Sequence, residues 1–414
     1  MRVAVIGGGV AGMASAHVAQ RFADVTLFEA SGSLGGHTDT HNLFVDGRTY
    51  AVDSGFIVFN RRNYPGFSGW LDELGVDSRP TSMSFGVSVD GVEYGTTDLR
   101  ALFCQRRNLL SSTFLAMLRD IRRFYHRAAC VGHDDTRTLA QFLAEERFSE
   151  SFEHRHLLPM CAAIWSVPPD RARQTPIGHV ARFMANHGLL QLRDRPQWEV
   201  VEGGSAAYVR AFARRFRGCV RASQPVRRVE RDSAGATVRT DAGEDRFEHV
   251  VLACHADQAL ELLAPTPLER DVVGAFRFQP NRAVVHSDPS AMPQRRGAWS
   301  SWNVRAGPSG GMESTYWMNR LQGIHSPQPF FVTLNPERQL DAVWAERHYS
   351  HPVFTLGTHA AQRRRAEVQG ANRTFWCGAW WGWGFHEDGF RSGIEAAHAV
   401  AAAAGQMGAL ANAR

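Results

Sequence analysis

The chain opens on an unbroken apolar run, Val3-Ala-Val-Ile6, that stops at Gly7. A short continuous run bounded by glycine predicts a strand buried on both faces. Met13 to Phe22 is alanine-rich and helical in character, and Asp24-Val-Thr-Leu-Phe-Glu29 predicts a second strand with an acidic end. Further along, Leu110, Phe114, Leu118, Ile121 and Tyr125 recur at helical spacing within 109–129, with Arg119, Arg122, Arg123 and Arg127 between or beside them. That spacing predicts an amphipathic helix, either an ordinary surface helix or one whose basic face rests on anionic lipid. Residues 276–349 alternate apolar and polar positions around Ala283–His286, Ala298–Trp302, Ser314–Trp317 and Phe330–Leu334. They predict an antiparallel sheet that roofs a substrate site. No internal repeat or low-complexity tract interrupts this order, apart from the alanine-rich end of the last helix.

The first two strands are joined by Gly7-Gly-Gly-Val-Ala-Gly12. Strand, glycine turn, helix, strand and terminal acid together make a βαβ unit in which a diphosphate rests on a helix amino terminus. Gly7 permits the tight turn, Gly9 lets a pyrophosphate approach the backbone, and Gly12 lets helix and strand pack closely. Glu29 is placed to accept hydrogen bonds from an adenosine ribose, and its charge disfavours the 2′-phosphate of NADP.

Composition changes the picture in one respect. At 414 residues, 44% hydrophobic and 21% charged, the chain is an ordinary globular one with room for two or three domains. Its 46 basic residues, however, are all arginine, because no lysine occurs anywhere. Schiff-base lysines, a phosphate-loop lysine and lysine-bound pyridoxal phosphate are therefore excluded. The net charge of +5 is spread without a dense basic tract, so no nucleic-acid partner is expected. Six scattered cysteines without a C-x-x-C pair fit free thiols in a reducing compartment. The glycines at 7, 8, 9 and 12 argue against a secretory signal in the amino-terminal run. No apolar stretch reaches the ~18 residues needed to span a bilayer. The expectation is a cytoplasmic protein, with peripheral contact to the inner membrane face left open.

Ala30-Ser-Gly-Ser-Leu-Gly-Gly-His-Thr38 adds a second glycine pair six residues after Glu29. Here the sequence resembles the FAD-dependent amine oxidoreductase and phytoene-desaturase superfamily. Val201-Glu-Gly-Gly-Ser205 followed by Tyr208, Pro225–Glu230, His249–Cys254, Phe375–Ala379 and Gly389–Gly393 resemble further segments of that family, in order along the chain. Within it, His37-Thr38, Gly55–Asn60 and Phe385–Gly389 are similar to a bacterial subgroup of FAD-binding oxidoreductases. They are also similar to the flavin-like amino-terminal domain of plant cyclopropane fatty acid synthases. The resemblance implies noncovalent FAD, an α/β fold with a Rossmann-like FAD domain and an inserted mixed α+β substrate domain, and a lipid substrate. It implies a discontinuous FAD domain at 1–80, 197–265 and 352–414, with the substrate domain at 81–196 and 266–351. The cofactor-binding set it implies is Gly7, Gly9, Ala11, Gly12, Glu29, Ala30, Gly35, Gly36, His37, Thr38, Gly55, Val226, Gly378, Glu387, Asp388 and Gly389.

Two departures from the larger family bear on function. Its common Gly-Gly-Arg is Gly35-Gly36-His37 here, and the lysine that holds a water at flavin N5 in many amine oxidases has no counterpart. His386, with a solution pKa near neutrality, and His37 are the candidate acid or base residues. Glu387 and Asp388 either bond the cofactor or cap the following helix. Trp376, Trp380, Trp381 and Trp383, set among glycines 378, 382 and 384, either wall a substrate channel or pack a core. The pairs His37/His41, Cys130/Asp134 and His154/His156 lack a third convergent ligand, so no metal is expected.

The sequence thus predicts an FAD-dependent oxidoreductase that desaturates or oxidises a hydrophobic, acyl-chain substrate by hydride transfer to flavin N5. A redox-neutral lipid double-bond isomerase, an amine oxidase and a flavin-bound accessory protein of a lipid-modifying enzyme remain as alternatives. The expected partners are a small hydrophobic substrate and an electron acceptor or lipid-modifying enzyme.

Overall fold

A computed structural model describes residues 1–408 except 133–134, 166–167, 187 and 192–193. Asp134, one half of a spacing noted above, lies outside the described residues. Strand β1, Arg2–Ile6, buries everything after its first residue. It lies at the centre of a five-stranded parallel sheet, between β2, Asp24–Phe28, and the strand His249–Leu252. Cys219–Arg221 and Thr374–Trp376 form the edges. Helices cover both faces of such a sheet, which is why its central strands read as unbroken apolar runs. Helix α1, Val10–Ala19, starts directly after Gly9 and packs on the final helix, His386–Ala403. At Gly393 a Cβ would lie 2.1 Å from the Ala11 carbonyl oxygen, so only glycine lets the two helices approach this closely. Val226–Asp232 stands apart from the parallel sheet, in an antiparallel meander with Gly235–Thr240 and Gly243–Phe247.

The second large sheet has seven strands, in the order Val343–Val353, Arg277–His286, Phe331–Leu334, Met312–Trp317, Trp302–Ala306, Phe85–Val89 and Val92–Gly95. Two expectations are corrected here. The predicted strand at Ala298–Trp302 begins at Trp302 instead, because Ser300 and Ser301 are held in a bend. Ser300 N bonds Asn303 Oδ1 at 2.9 Å and Ser301 N bonds Ser84 Oγ at 3.0 Å. The sheet is also mixed, since Trp302–Arg305 pairs in parallel with Phe85–Ser88, a segment outside the predicted region.

The predicted helix from Leu109 begins at Ser112, capped by Ser111, whose Oγ accepts from Phe114 N at 3.3 Å. Leu109 and Leu110 belong to a preceding 3-10 turn, Arg106–Leu110. The buried face of Ser112–Ala129 runs through Phe114, Met117, Asp120, Phe124 and Ala128. Leu118, Ile121 and Tyr125 are half-buried and Leu110 is exposed, so the inward stripe is rotated from the predicted one. Asp120 accounts for the shift, because its carboxylate is pulled inward to accept from Ser149 N at 2.9 Å. No described helix is long and apolar enough to cross a membrane.

Candidate active site

One cavity of about 1470 Å³ runs from the glycine turn into the body of the second sheet and its helices. Gly7, with φ of +110°, makes the turn, and a Cβ there would meet Ala253 backbone at 2.9 Å. Gly9 has nothing within 4 Å of where a Cβ would stand, and it lines the cavity. No side chain caps α1, so its first-turn N–H groups are left for a ligand at the end where the helix dipole is positive. Gly12 lies behind this surface, with a notional Cβ 1.8 Å from Gly7 O.

Both Glu29 carboxylate oxygens accept from the backbone, Oε2 from Gly8 N at 2.8 Å and Oε1 from Ser31 N at 2.7 Å. This orients Glu29 along the cavity wall beside Ala30. The second glycine pair folds back on the first, with Gly35 N bonded to Gly8 O at 2.9 Å and Gly36 facing Gly9. Ala11, His37, Thr38, Gly55, Val226, Gly378 and His386 line the same cavity. Glu387, Asp388, Gly12 and Gly389 do not. Glu387 accepts from Gly66 N and Phe67 N at 3.0 and 2.8 Å, at the start of the helix Pro65–Leu74. Asp388 accepts from Trp383 N and Phe385 N at 2.9 and 3.1 Å. Both acids therefore act as backbone caps, and Gly389 packs against Val10.

Residues from several separate elements complete the site. Tyr208 is fully buried, and its hydroxyl lies 2.6 Å from Thr38 Oγ1 and 2.7 Å from His386 Nε2. The chain of bonds ties the second glycine loop to the start of the last helix. The His386 ring stacks on Phe56 at 3.7 Å, nearly coplanar. His37 stacks on Tyr349 at 5.0 Å, with His351 and His255 at 5.6 and 5.7 Å. Burial, reinforced by His351 and His255, holds His37 down at about 3, and burial holds His386 at about 3. Both rings are neutral at physiological pH. One nitrogen of His37 donates to the Ser350 carbonyl, while Nε2 is buried without a hydrogen-bond partner among the described residues. Nε2 is therefore an acceptor covered by protein. Tyr349 and His351 are brought in by the long strand Val343–Val353, a distance in sequence that no local pattern signals. Of the four tryptophans, Trp380 and Trp383 line the cavity, while Trp376 and Trp381 are buried in a core cluster.

Tyr208→Phe is expected to keep the fold but strand Thr38 and His386 without their shared partner. The cost is about 1–3 kcal/mol, read as a lowered melting temperature and a shifted flavin absorbance spectrum.

Residues 10–286 match the model of the flavin-containing amine oxidoreductase family. The carotenoid phi-ring synthase of Streptomyces griseus is 29% identical over 294 residues, covering 64% of this chain and 54% of that protein. The chain thus spans about half the length of this curated relative. Among solved structures, cyclohexylamine oxidase from Brevibacterium oxydans superposes with a TM-score of 0.69 at 17% identity, covering 97% of this chain and 98% of that one. A CLA-producing fatty acid isomerase from P. acnes superposes with a TM-score of 0.66 at 15% identity, covering 95% and 97%. At these identities the two structures establish the fold alone. The open glycine cradle and the uncapped helix terminus fit an FAD dinucleotide. The chain belongs to the flavin-containing amine oxidoreductase family.

Proposed function

We propose that this enzyme desaturates or oxidises an acyl-chain lipid, with a quinone or a protein partner as the final electron acceptor. The observation that carries this reading is the distribution of charge in the cavity. Among its lining carboxylates, Glu29 lies at the glycine turn and Asp39 is paired with Arg347 at 2.5 Å. Glu261 precedes Leu262, whose carbonyl accepts from Val229 in the strand that begins at Val226. The remainder, walled by Tyr125, Met160, Ile164, Trp165, Phe183, Leu189 and Trp302, holds no carboxylate among the described residues. Its charged side chain is Arg195.

An ammonium entering this region loses hydration without a countercharge, at a cost of several kcal/mol. An alkyl chain entering it gains about 0.8 kcal/mol per buried methylene. The balance favours a hydrocarbon over an amine. The name of one similar protein, a carotenoid phi-ring synthase, supports a lipid substrate.

FAD, when bound, supplies a two-electron acceptor for an activated C–H bond. The chain's own residues orient and desolvate. Phe56, Trp383 and Phe385 exclude water, His37 lines the cavity as a neutral ring, and Tyr208 fixes His386. The test is turnover of fractionated bacterial lipids with an artificial electron acceptor. The expected product is lighter than its substrate by two hydrogens. A product of unchanged mass, formed without any acceptor, would favour the isomerase instead. Peroxide release with alkylamines would return the enzyme to amine oxidation. Inertness toward every lipid fraction, with activity gained only by a partner enzyme, would favour an accessory role.

A further inference from the structure

We infer that the protein docks on an anionic bilayer through the surface formed by residues 99–122. Leu99, Leu109, Leu110 and Leu115 are 73%, 51%, 92% and 47% exposed, and all four fall within one short stretch of chain. Their exposure is built in by the fold. In the turn Arg106–Leu110 the buried Asn108 points inward, its amide donating to Glu93 O at 3.3 Å. Gln105 Oε1 accepts from Glu93 N at 3.1 Å, which pins the other end of the turn. Packing of Phe103 against Phe114, 6.0 Å between centroids, fixes the turn to the helix that follows. Leu109 and Leu110 are thereby held outward as a pair.

The surrounding charge selects the partner. Arg100, Arg106, Arg107, Arg119 and Arg122 are exposed in the same stretch. Of the nearby acids, Asp98 accepts from Ala101 N at 2.8 Å, and the buried Asp120 accepts from Ser149 N at 2.9 Å and pairs with Arg119 and Arg123 at 3.8 and 3.6 Å. Apolar prongs ringed by arginines, of which Arg100, Arg106, Arg107 and Arg122 have no carboxylate partner among the described residues, match an anionic bilayer, where leucine enters the acyl boundary and arginine meets the headgroups. A second copy of the chain fits poorly, because a symmetric contact would set one arginine cluster against the other. The helix Ser112–Ala129 runs from Leu115 to Tyr125, a cavity-lining residue. At 1.5 Å per residue the two are about 15 Å apart along the axis. The acyl-chain reading is needed only for what the docked enzyme collects; the docking itself stands on the surface.

The experiment is co-sedimentation of the FAD-loaded protein with vesicles of equal parts phosphatidylglycerol and phosphatidylcholine, against phosphatidylcholine alone. Wild type is expected to bind the anionic vesicles and to be released by high salt. Leu109→Glu/Leu110→Glu is expected to weaken binding at least tenfold, and Arg106→Gln or Arg122→Gln about fivefold each. Bound flavin and melting temperature should be unchanged, since all four side chains are exposed. Absence of wild-type binding, binding equal to wild type in the leucine double variant, or a solution dimer that Leu110→Glu dissociates would each overturn the proposal. The two readings fail separately. Vesicle binding without lipid turnover leaves docking intact and sinks acyl oxidation. Turnover of detergent-dispersed lipid without vesicle binding does the reverse.

Discussion

Replacing Gly12 with alanine is expected to leave the purified protein without bound flavin. The added methyl would stand 1.8 Å from the Gly7 carbonyl oxygen, which is backbone and cannot swing aside. The turn must open, and the cradle that Gly7, Gly9 and the α1 terminus form together is lost. We expect FAD affinity to fall by more than about 100-fold and the melting temperature of the apoprotein to fall with it. Gly9→Ala separates the two effects. Gly9 has φ of −72° and ψ of −178°, which alanine adopts freely, and a Cβ there meets no protein atom within 4 Å. Apoprotein stability should therefore be unchanged. The methyl instead occupies cavity space, and an overpacking cost of ~1–3 kcal/mol corresponds to about 5- to 160-fold weaker FAD. Isothermal titration of apoprotein with FAD, paired with apoprotein melting, checks both variants. Equal FAD affinity in Gly9→Ala and wild type would remove the dinucleotide from this cradle.

Asp53→Ala should be the most destabilising change away from the cavity. The Asp53 carboxylate is fully buried and accepts from Ser205 N at 3.0 Å, Ser205 Oγ at 2.9 Å, Thr40 Oγ1 at 2.5 Å and Gln322 Nε2 at 2.7 Å. Those four donors come from three segments far apart in sequence. Alanine leaves them buried and unpaired, at a total of about 3–5 kcal/mol. Burial also lifts the Asp53 carboxyl to about 6. Because its native pKa is raised above the unfolded value, the protonated form is favoured in the folded state. The contribution is full below about pH 4 and is lost as pH rises through about 6, a span worth ~3 kcal/mol. Asp53→Asn should lose less stability than Asp53→Ala. The difference between wild-type and Asp53→Asn urea midpoints should then narrow steadily from pH 4 to pH 6.5. A difference that is flat across this range would place the carboxylate outside the network.

What was legible in the sequence follows from how locally each feature is encoded. The βαβ unit at 2–28 needs only neighbours, so Val3–Ile6, the glycine turn and Glu29 could be placed from their own spacing. The second glycine pair was legible for the same reason, since its approach to Gly9 depends on backbone alone. The ring of groups around His37 was not legible. Tyr349 and His351 arrive on a strand more than 300 residues away, and alternation in that strand says nothing of which cavity it borders. Tyr208 sat inside a quoted motif, yet its bridge from Thr38 to His386 depends on three elements meeting. The inward face of Ser112–Ala129 was misplaced because a buried, hydrogen-bonded aspartate reads as polar in any periodicity. The tryptophan cluster divided between cavity and core, with Trp383 lining the cavity, Trp376 and Trp381 buried in the core cluster and Trp380 belonging to both.

The central claim is that the apolar part of the cavity, which holds no carboxylate among the described residues, delivers an acyl chain to FAD. Anaerobic titration of the holoprotein, followed at the visible flavin band, tests it most directly. Acyl lipids are predicted to bleach the band, and alkylamines to leave it unchanged. Bleaching by alkylamines, with lipids at the same concentrations leaving the band intact, would contradict the account.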